Sequence, residues 1–308
     1  MCTTCGCSNT QSAAVTDLDE AAEGGAQSGS TTGGAGPAGT AYRRVSSHLL
    51  VGVSAHSHSH SHSHHDDHVH EHGDVHHHHE HHHEHEHEHS TSINLERDIL
   101  AKNQLLAERN RGWLAGRSIL ALNLMSSPGA GKTTLLERTI HDLGNAFPLT
   151  VIEGDQATLN DAERIRATGV RVVQINTGTG CHLDAEMASR ALTQLDPPMH
   201  SVVMIENVGN LVCPALFDLG EADKVLILSV TEGEDKPIKY PHMFQACSLL
   251  LLNKIDLLPH LRFDVERCIE YAKRVNPRMQ ILQVSAQSGE GMEGWYGWLR
   301  TRATSIHA

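Results

Sequence analysis

The chain of 308 residues contains no run of 18 apolar residues, so no membrane-spanning helix is expected. Its first residues lack the basic stretch and apolar core of a secretory leader, and a cytoplasmic location is expected. There is no basic stripe: 24 Lys and Arg stand against 37 Asp and Glu, a formal charge of −13, which argues against nucleic acid as a partner. Aromatic residues make up only 4%, so the apolar runs that mark a core here are aliphatic. The acidity is uneven. Before Ser92, twelve Asp and Glu face only Arg43 and Arg44, a net of −10. Seven Cys, an odd number in a long chain, argue for thiols or metal ligands in a reducing compartment rather than a disulfide framework.

The amino-terminal part divides by composition. Residues 1–7 bring Cys2, Cys5 and Cys7 close together, and soft thiolates on a short segment can wrap one metal ion. Residues 8–55, rich in Gly, Ser, Thr and Ala, cannot bury enough apolar surface to offset chain entropy and read as a disordered linker. Residues 56–89 hold 19 His and eight Asp or Glu in 34 positions, with no Lys or Arg. His56, His58, His60, His62 and His64 alternate with Ser. His76, His77, His78, His79, His81, His82, His83, His85, His87 and His89 are clustered or alternate with Glu. Neutral imidazole is a good ligand for nickel, zinc and copper. The segment therefore reads as a multivalent metal binder, weakening as pH falls through the imidazole pKa near ~6.5. Ser90, Thr91 and Ser92 can cap a helix. Ile93, Leu95, Ile99, Leu100, Leu105 and Leu106 roughly follow helical spacing, which predicts an amphipathic helix packed on the domain that follows.

From Ile119 onward short aliphatic runs alternate with helical patterns. Strands are expected at 119–125, 149–153, 170–175, 202–206, 225–230, 248–252 and 281–284. Helices are expected around 134–143, 158–167, 183–194, 262–274 and 290–303. Nearly continuous apolar strands fit burial on both faces, so residues 90–308 are expected to form an α/β domain with a mainly parallel sheet. In such a sheet the loops after the strands share one edge, where ligands bind.

Ser126-Ser127-Pro128-Gly129-Ala130-Gly131-Lys132-Thr133-Thr134 joins the first of these strands to the first helix. A glycine loop, Gly-Lys-Thr and a helix start in that context form a P-loop. Backbone N–H groups from Gly129 to Thr134 would converge on phosphate oxygens. Lys132 would place its charge on the β- and γ-phosphates, and the Thr133 hydroxyl would ligate Mg²⁺. The usual first glycine of the motif is Ser126 here. After the strand at 248–252 comes Asn253-Lys254-Ile255-Asp256, the pattern of guanine-binding GTPases. The Asp256 carboxylate can accept hydrogen bonds from guanine N1–H and its exocyclic amine, whereas adenine would leave it unpaired. Lys254 can lay its stem over the base, and Ser285-Ala286 resembles a second base-contact loop. On the same edge lie Glu153-Gly154-Asp155 and Glu206. Glu206 stands where a Mg²⁺-holding acid is expected, and Asp155 is the candidate switch acid and water-positioning group. Lys132, Asp155 and Glu206 are thus the candidate catalytic residues. Two further loops carry soft donors, Cys181-His182 and Cys213. Convergence near the γ-phosphate end would let nucleotide state bias metal affinity. Cys247 and Cys268 read as core residues.

These stretches, together with Cys2-x-x-Cys5-Gly6-Cys7, Thr-Gly-Cys-His-Leu-Asp, Glu-Asn-Val-Gly-Asn-Leu-Val-Cys-Pro and Asp235-Lys236-Pro237, resemble the hydrogenase nickel-incorporation GTPases (HypB). The resemblance covers roughly residues 92–308 and the amino-terminal Cys motif. It implies a SIMIBI-like P-loop GTPase domain using GTP, Mg²⁺, Ni²⁺ and Zn²⁺, which delivers nickel to the large subunit of nickel–iron hydrogenase. It also implies a G-domain homodimer with metal at its interface, and a small zinc-containing partner that relays nickel. By resemblance, Cys2, Cys5 and Cys7 match a tight nickel site, and Cys181, His182 and Cys213 match a weaker site that takes nickel or zinc. The Ser126 departure is shared with that family, the His-rich insert looks like a nickel store, and Lys236 is implied to contact nucleotide. A urease-type nickel-insertion GTPase should carry Cys-Pro-His where this chain has Cys213-Pro214-Ala215. A nickel buffer whose G domain merely regulates is the other alternative.

Overall fold

The computed structural model describes residues 14–17, 86–144, 146–155, 160–178 and 180–307. The Cys2, Cys5 and Cys7 motif and the histidines from His56 to His85 lie outside the described residues. So do the side chains of His87 and His89, whose backbone belongs to the first helix.

Eight strands form one sheet: β1 (Ala14–Asp17), β2 (Leu120–Ser126), β3 (Leu149–Asp155), β4 (Arg171–Asn176), β5 (Val202–Glu206), β6 (Asp223–Ser229), β7 (Leu249–Asn253) and β8 (Gln280–Gln283). The spatial order is β1-β4-β3-β5-β2-β6-β7-β8. Every pairing is parallel except that of β1 with β4. The seven predicted strands are all present. β1 is an addition inside the stretch read as a linker. It is four residues long and sits at the sheet edge, so it has no periodicity to announce it. Pairing with β4 and an ion pair from Arg171 to the buried Asp17 hold it.

The helices are α1 (Glu86–Gly116), α2 (Lys132–Leu143), α3 (Asn160–Arg166), α4 (Ala185–Leu195), the short α5 (Lys236–Lys239) and α6 (Pro241–Ala246), α7 (Val265–Val275) and α8 (Met292–His307). Successive strand residues point to opposite faces, and both faces are covered. Leu120, Leu122 and Leu124 of β2 pack against Leu135, Leu136 and Ile140 of α2 and Trp295 and Leu299 of α8. Ala121 faces the other way, with Leu114 of α1 and Ala188 and Leu192 of α4. β6 and β7 share a third cluster with Phe244 of α6 and Ala272 of α7. Cys247 and Cys268 belong to it, and burial pushes both thiols up, Cys268 to about 12. They are packing residues.

The face of α1 differs from expectation. Ile99, Leu100 and Leu105 are exposed, and the packed positions are Asn103, Ala107, Asn110 and Leu114. The surface opposite presents bare backbone groups, and asparagine can satisfy them where leucine cannot. Ala107 and the Cβ-less Gly220 let the backbones approach: a Cβ on Gly220, whose φ is +94°, would lie 2.7 Å from the Ala107 carbonyl oxygen.

Candidate nucleotide and metal site

β2 lies at the centre of the sheet, between β5 and β6, and the P-loop runs from its end into α2. Gly129 and Gly131 have φ of +76° and +91°, the left-handed region that glycine enters without a Cβ penalty. A Cβ on Gly131 would meet Asn253 Nδ2 at 2.7 Å. The loop borders a cleft of about 530 Å³ that takes in Lys132, Thr133, Asp155, Arg164, Glu206 and Lys254.

On one side, β7 and β8 bring up the base-recognition residues. A pocket of about 220 Å³ is lined by Thr134, Lys254, Asp256, Leu257, Ala286 and Gln287. Ser285 Oγ donates to Asp256 Oδ1 at 2.5 Å, which holds that carboxylate in place. Asn253 acts as a staple: Nδ2 donates to the Ala130 carbonyl at 2.9 Å, and Oδ1 accepts from the Ala286 N–H at 3.1 Å. Lys254 Nζ donates to the Gly129 carbonyl at 2.6 Å. Asn253-Lys254 thereby fastens the P-loop to the base pocket.

On the other side, β5 and β3 supply the acids. Glu206 Oε1 accepts from Lys132 Nζ and from Thr133 Oγ1, each at 2.7 Å. The pair is deeply placed, with side-chain exposures of 11% for Lys132 and 2% for Glu206. Glu153 is opposite Glu206 in the β3–β5 register. Burial, and then the neighbouring Glu206 charge, push the Glu153 carboxyl up to about 8, against a lowering hydrogen bond from Gln174. Oε2 of Glu153 and Oε2 of Glu206 are both buried without a hydrogen-bond partner. Glu206, which touches the Thr133 hydroxyl and keeps one orphaned oxygen, offers with that hydroxyl a hard-oxygen set, which fits Mg²⁺. Asp155 ends β3, half-buried, and its carbonyl accepts from the N–H of Thr177.

The soft donors meet one loop further along. The donor atoms of Cys181, His182 and Cys213 lie within 4.8 Å of one another, with His182 Nδ1 3.6 Å from Cys181 Sγ. Burial lowers the His182 pKa, against the opposing pull of Asp184, which favours the neutral imidazole a metal requires. Two thiols and one imidazole suit zinc or nickel. The His182 ring stacks on Phe217, centroids 4.0 Å apart.

One segment connects this cluster to the cleft. After Glu206, Asn207 Oδ1 accepts from the Leu183 N–H at 3.2 Å. Gly209 packs against the P-loop, where a Cβ would lie 3.1 Å from Pro128 Cα. Asn210 Nδ2 donates to the Cys181 carbonyl at 3.4 Å, and Cys213 follows.

The structure therefore brings the P-loop, Asp155, Glu206 and Lys254 to one cleft, Asn253, Asp256, Ser285 and Ala286 to the base pocket that adjoins it at Gly131, Thr134 and Lys254, and Cys181, His182 and Cys213 to a cluster of their own. Sequence reasoning assigned no role to Arg164, Asn207, Asn210 or Phe217. Arg164 of α3 borders the cleft, with Nη2 2.6 Å from Glu137 Oε2 and 3.5 Å from Thr134 Oγ1. Only the asparagines had a local signal, since they fall between Glu206 and Cys213. Lys236 Nζ lies 4.0 Å from Glu232, whose carboxylate also accepts from Ser127 Oγ of the P-loop.

Residues 120–283 match the family model described as CobW/HypB/UreG, nucleotide-binding domain. The chain is 62% identical over 217 residues to the hydrogenase maturation factor HypB of Azotobacter vinelandii, covering 70% of this chain and 72% of that protein. It is 60% identical over 210 residues to that of Escherichia coli K12, covering 68% and 72%. Among solved structures it resembles hydrogenase maturation factor HypB from Archaeoglobus fulgidus, with TM-score 0.62, 41% identity, and coverage of 66% of this chain and 99% of that one. HypB from Helicobacter pylori in complex with nickel superposes with TM-score 0.62 at 36% identity, over 66% and 96% of the two chains.

Proposed function

The chain belongs to the HypB hydrogenase maturation factors of the CobW/HypB/UreG family, and from that premise we propose that it is a GTP-hydrolysing nickel metallochaperone. It binds nickel and inserts it into the large subunit of nickel–iron hydrogenase in the cytoplasm. The observation that carries this reading is the placement of Cys181, His182 and Cys213 at the far end of the segment that begins at Glu206.

In this reading Asp256 selects guanine, and Gly129–Thr134 with Lys132 hold the phosphates. Thr133, Glu206 and Asp155 would hold Mg²⁺, which when bound offsets phosphate charge. Asp155 positions the attacking water. Phosphates compete with Glu206 for the Lys132 ammonium, so nucleotide arrival changes what holds Glu206. Asn207, Gly209 and Asn210 pass that change to Leu183, to the P-loop and to Cys181. The soft site alters its grip on nickel or zinc accordingly. Cys2, Cys5 and Cys7 form a tighter nickel site, and the histidines of 56–89 store nickel. A small zinc-containing protein relays the metal, and the G domains pair as a homodimer. Turnover is slow, on the order of 10⁻⁴ to 10⁻² s⁻¹, as for switch GTPases unaided by a partner protein.

The test is a nickel and zinc titration of the full chain and of its Cys2→Ala/Cys5→Ala and Cys213→Ala variants, with GDP and with a non-hydrolysable GTP analogue. Affinity at the Cys213 site should differ between the nucleotides, and equal affinity would remove the coupling. Hydrogenase maturation that survives Lys132→Ala would remove the GTPase role.

A further inference from the structure

Helix α1 holds the two loops that carry the soft donors through two asparagines. Asn103 is 7% exposed and Asn110 is 3% exposed. Seven residues apart, they share one face of α1. Asn103 Oδ1 accepts from the Ala185 N–H at 2.8 Å, while its Nδ2 donates to the Asp218 carbonyl at 2.8 Å. Asn110 Nδ2 donates to the carbonyls of Ala185 at 2.8 Å and Leu219 at 2.9 Å. Both backbone polar groups of Ala185 are thus held by α1, and so is the loop 218–219. Arg111 adds an ion pair to Asp218 at 2.5 Å and a bond to the Glu221 carbonyl at 2.7 Å.

Each anchor point follows one half of the cluster in the chain. Ala185 is three residues after His182, and Asp218 directly follows Phe217, whose ring stacks on His182. Cys181 and His182 lie on one loop, and Cys213 and Phe217 on the other. Among the described residues no strand pairing joins the two loops; Asn207 and Asn210 bond directly from one to the other at Leu183 and Cys181, and α1 holds both from outside. Buried amides bonded at both ends are geometrically exacting, because a shift of either loop leaves a polar group unpaired.

We infer that Asn103 and Asn110 of α1 are positioning residues for the metal cluster, fixing the register between the loop that carries Cys181 and His182 and the loop that carries Cys213 and Phe217. The inference rests on the reading of that cluster as a metal site.

The experiment uses the full chain carrying Cys2→Ala, Cys5→Ala and Cys7→Ala. Thiolate-to-nickel charge-transfer absorption then reports Cys181 and Cys213, since imidazoles give no such band and Cys247 and Cys268 are core residues. Nickel is titrated against a competing chelator in this parent and in Asn103→Leu, which keeps the branched shape and the number of heavy atoms and loses both bonds. Asn103→Asp keeps the acceptor for Ala185 and sets an acceptor oxygen against the Asp218 carbonyl, so it disturbs the second loop alone. Leu299→Ala, in α8 on the opposite face of the sheet, serves as the destabilised control. Asn103→Leu should weaken nickel binding by about 10- to 100-fold and shift the band, Asn103→Asp should shift both in the same direction, and Leu299→Ala should do neither. If Asn103→Leu does not fold, Asn103→Ser carries the same expectation. An unmoved midpoint and band in the Asn103 variants, with only thermal stability lowered, would overturn the positioning role alone. A parent without the band would remove the metal-site reading itself, and the role of the asparagines with it.

Discussion

Glu153→Gln should stabilise the protein, and increasingly so as pH rises. The folded chain holds the Glu153 carboxyl at about 8, from an ordinary value of 4.5, chiefly through burial and next through the Glu206 charge. Between those values the folded state keeps a proton that the unfolded state has released. Unfolding free energy therefore falls as pH rises through the window. Each unit of displacement corresponds to about 1.36 kcal/mol. The wild-type penalty is then about 1 kcal/mol near pH 5 and about 4 kcal/mol near pH 7.5. Glutamine has the same shape, keeps a partner in Gln174 and does not titrate. The measurement is urea unfolding of both proteins, free of nucleotide and divalent metal, from about pH 5 to about pH 8. The two stability curves should lie close at the acid end and separate by roughly 3 kcal/mol toward neutrality. Parallel curves would refute the reasoning, because the buried carboxyl would then contribute nothing to the pH dependence.

Three further outcomes are expected. Asp256→Asn should weaken GTP by about 100-fold and improve xanthosine triphosphate, whose C2 carbonyl accepts from the new amide; competition binding of the two nucleotides decides it. Gly209→Ala puts a methyl 3.1 Å from Pro128, so GTP affinity by fluorescence titration should fall by about 10-fold with the thermal midpoint little changed. Trp295→Phe removes the buried bond from Trp295 Nε1 to Thr139 Oγ1, 2.9 Å long, and should cost about 2 kcal/mol in denaturant unfolding while leaving nucleotide binding intact.

The sheet was legible because its strands are buried on both faces. Uninterrupted aliphatic runs such as Leu249-Leu250-Leu251-Leu252 have few alternatives once short breakers bound them. β1 was not legible, since four residues are too few to carry a pattern and their partners, β4 and Arg171, lie more than 150 residues away. The α1 face was misread for a related reason. Periodicity marks where apolar residues recur, and there they face outward at Ile99, Leu100 and Leu105, while two asparagines make the contact.

The same division runs through the site. Local sequence determines the phosphate loop, the base motif and the Cys-His dipeptide, because each is contiguous and its chemistry needs those residue types at that spacing. Tertiary structure alone decided that Glu153 faces Glu206 across neighbouring strands, that Arg164 reaches Thr134, that Phe217 lies on His182, and that Asn103 binds Ala185 and Asp218. Those contacts join residues far apart in the chain. They arise from strand order and backbone register, which are settled by the packing of the whole domain and leave no local trace in the sequence.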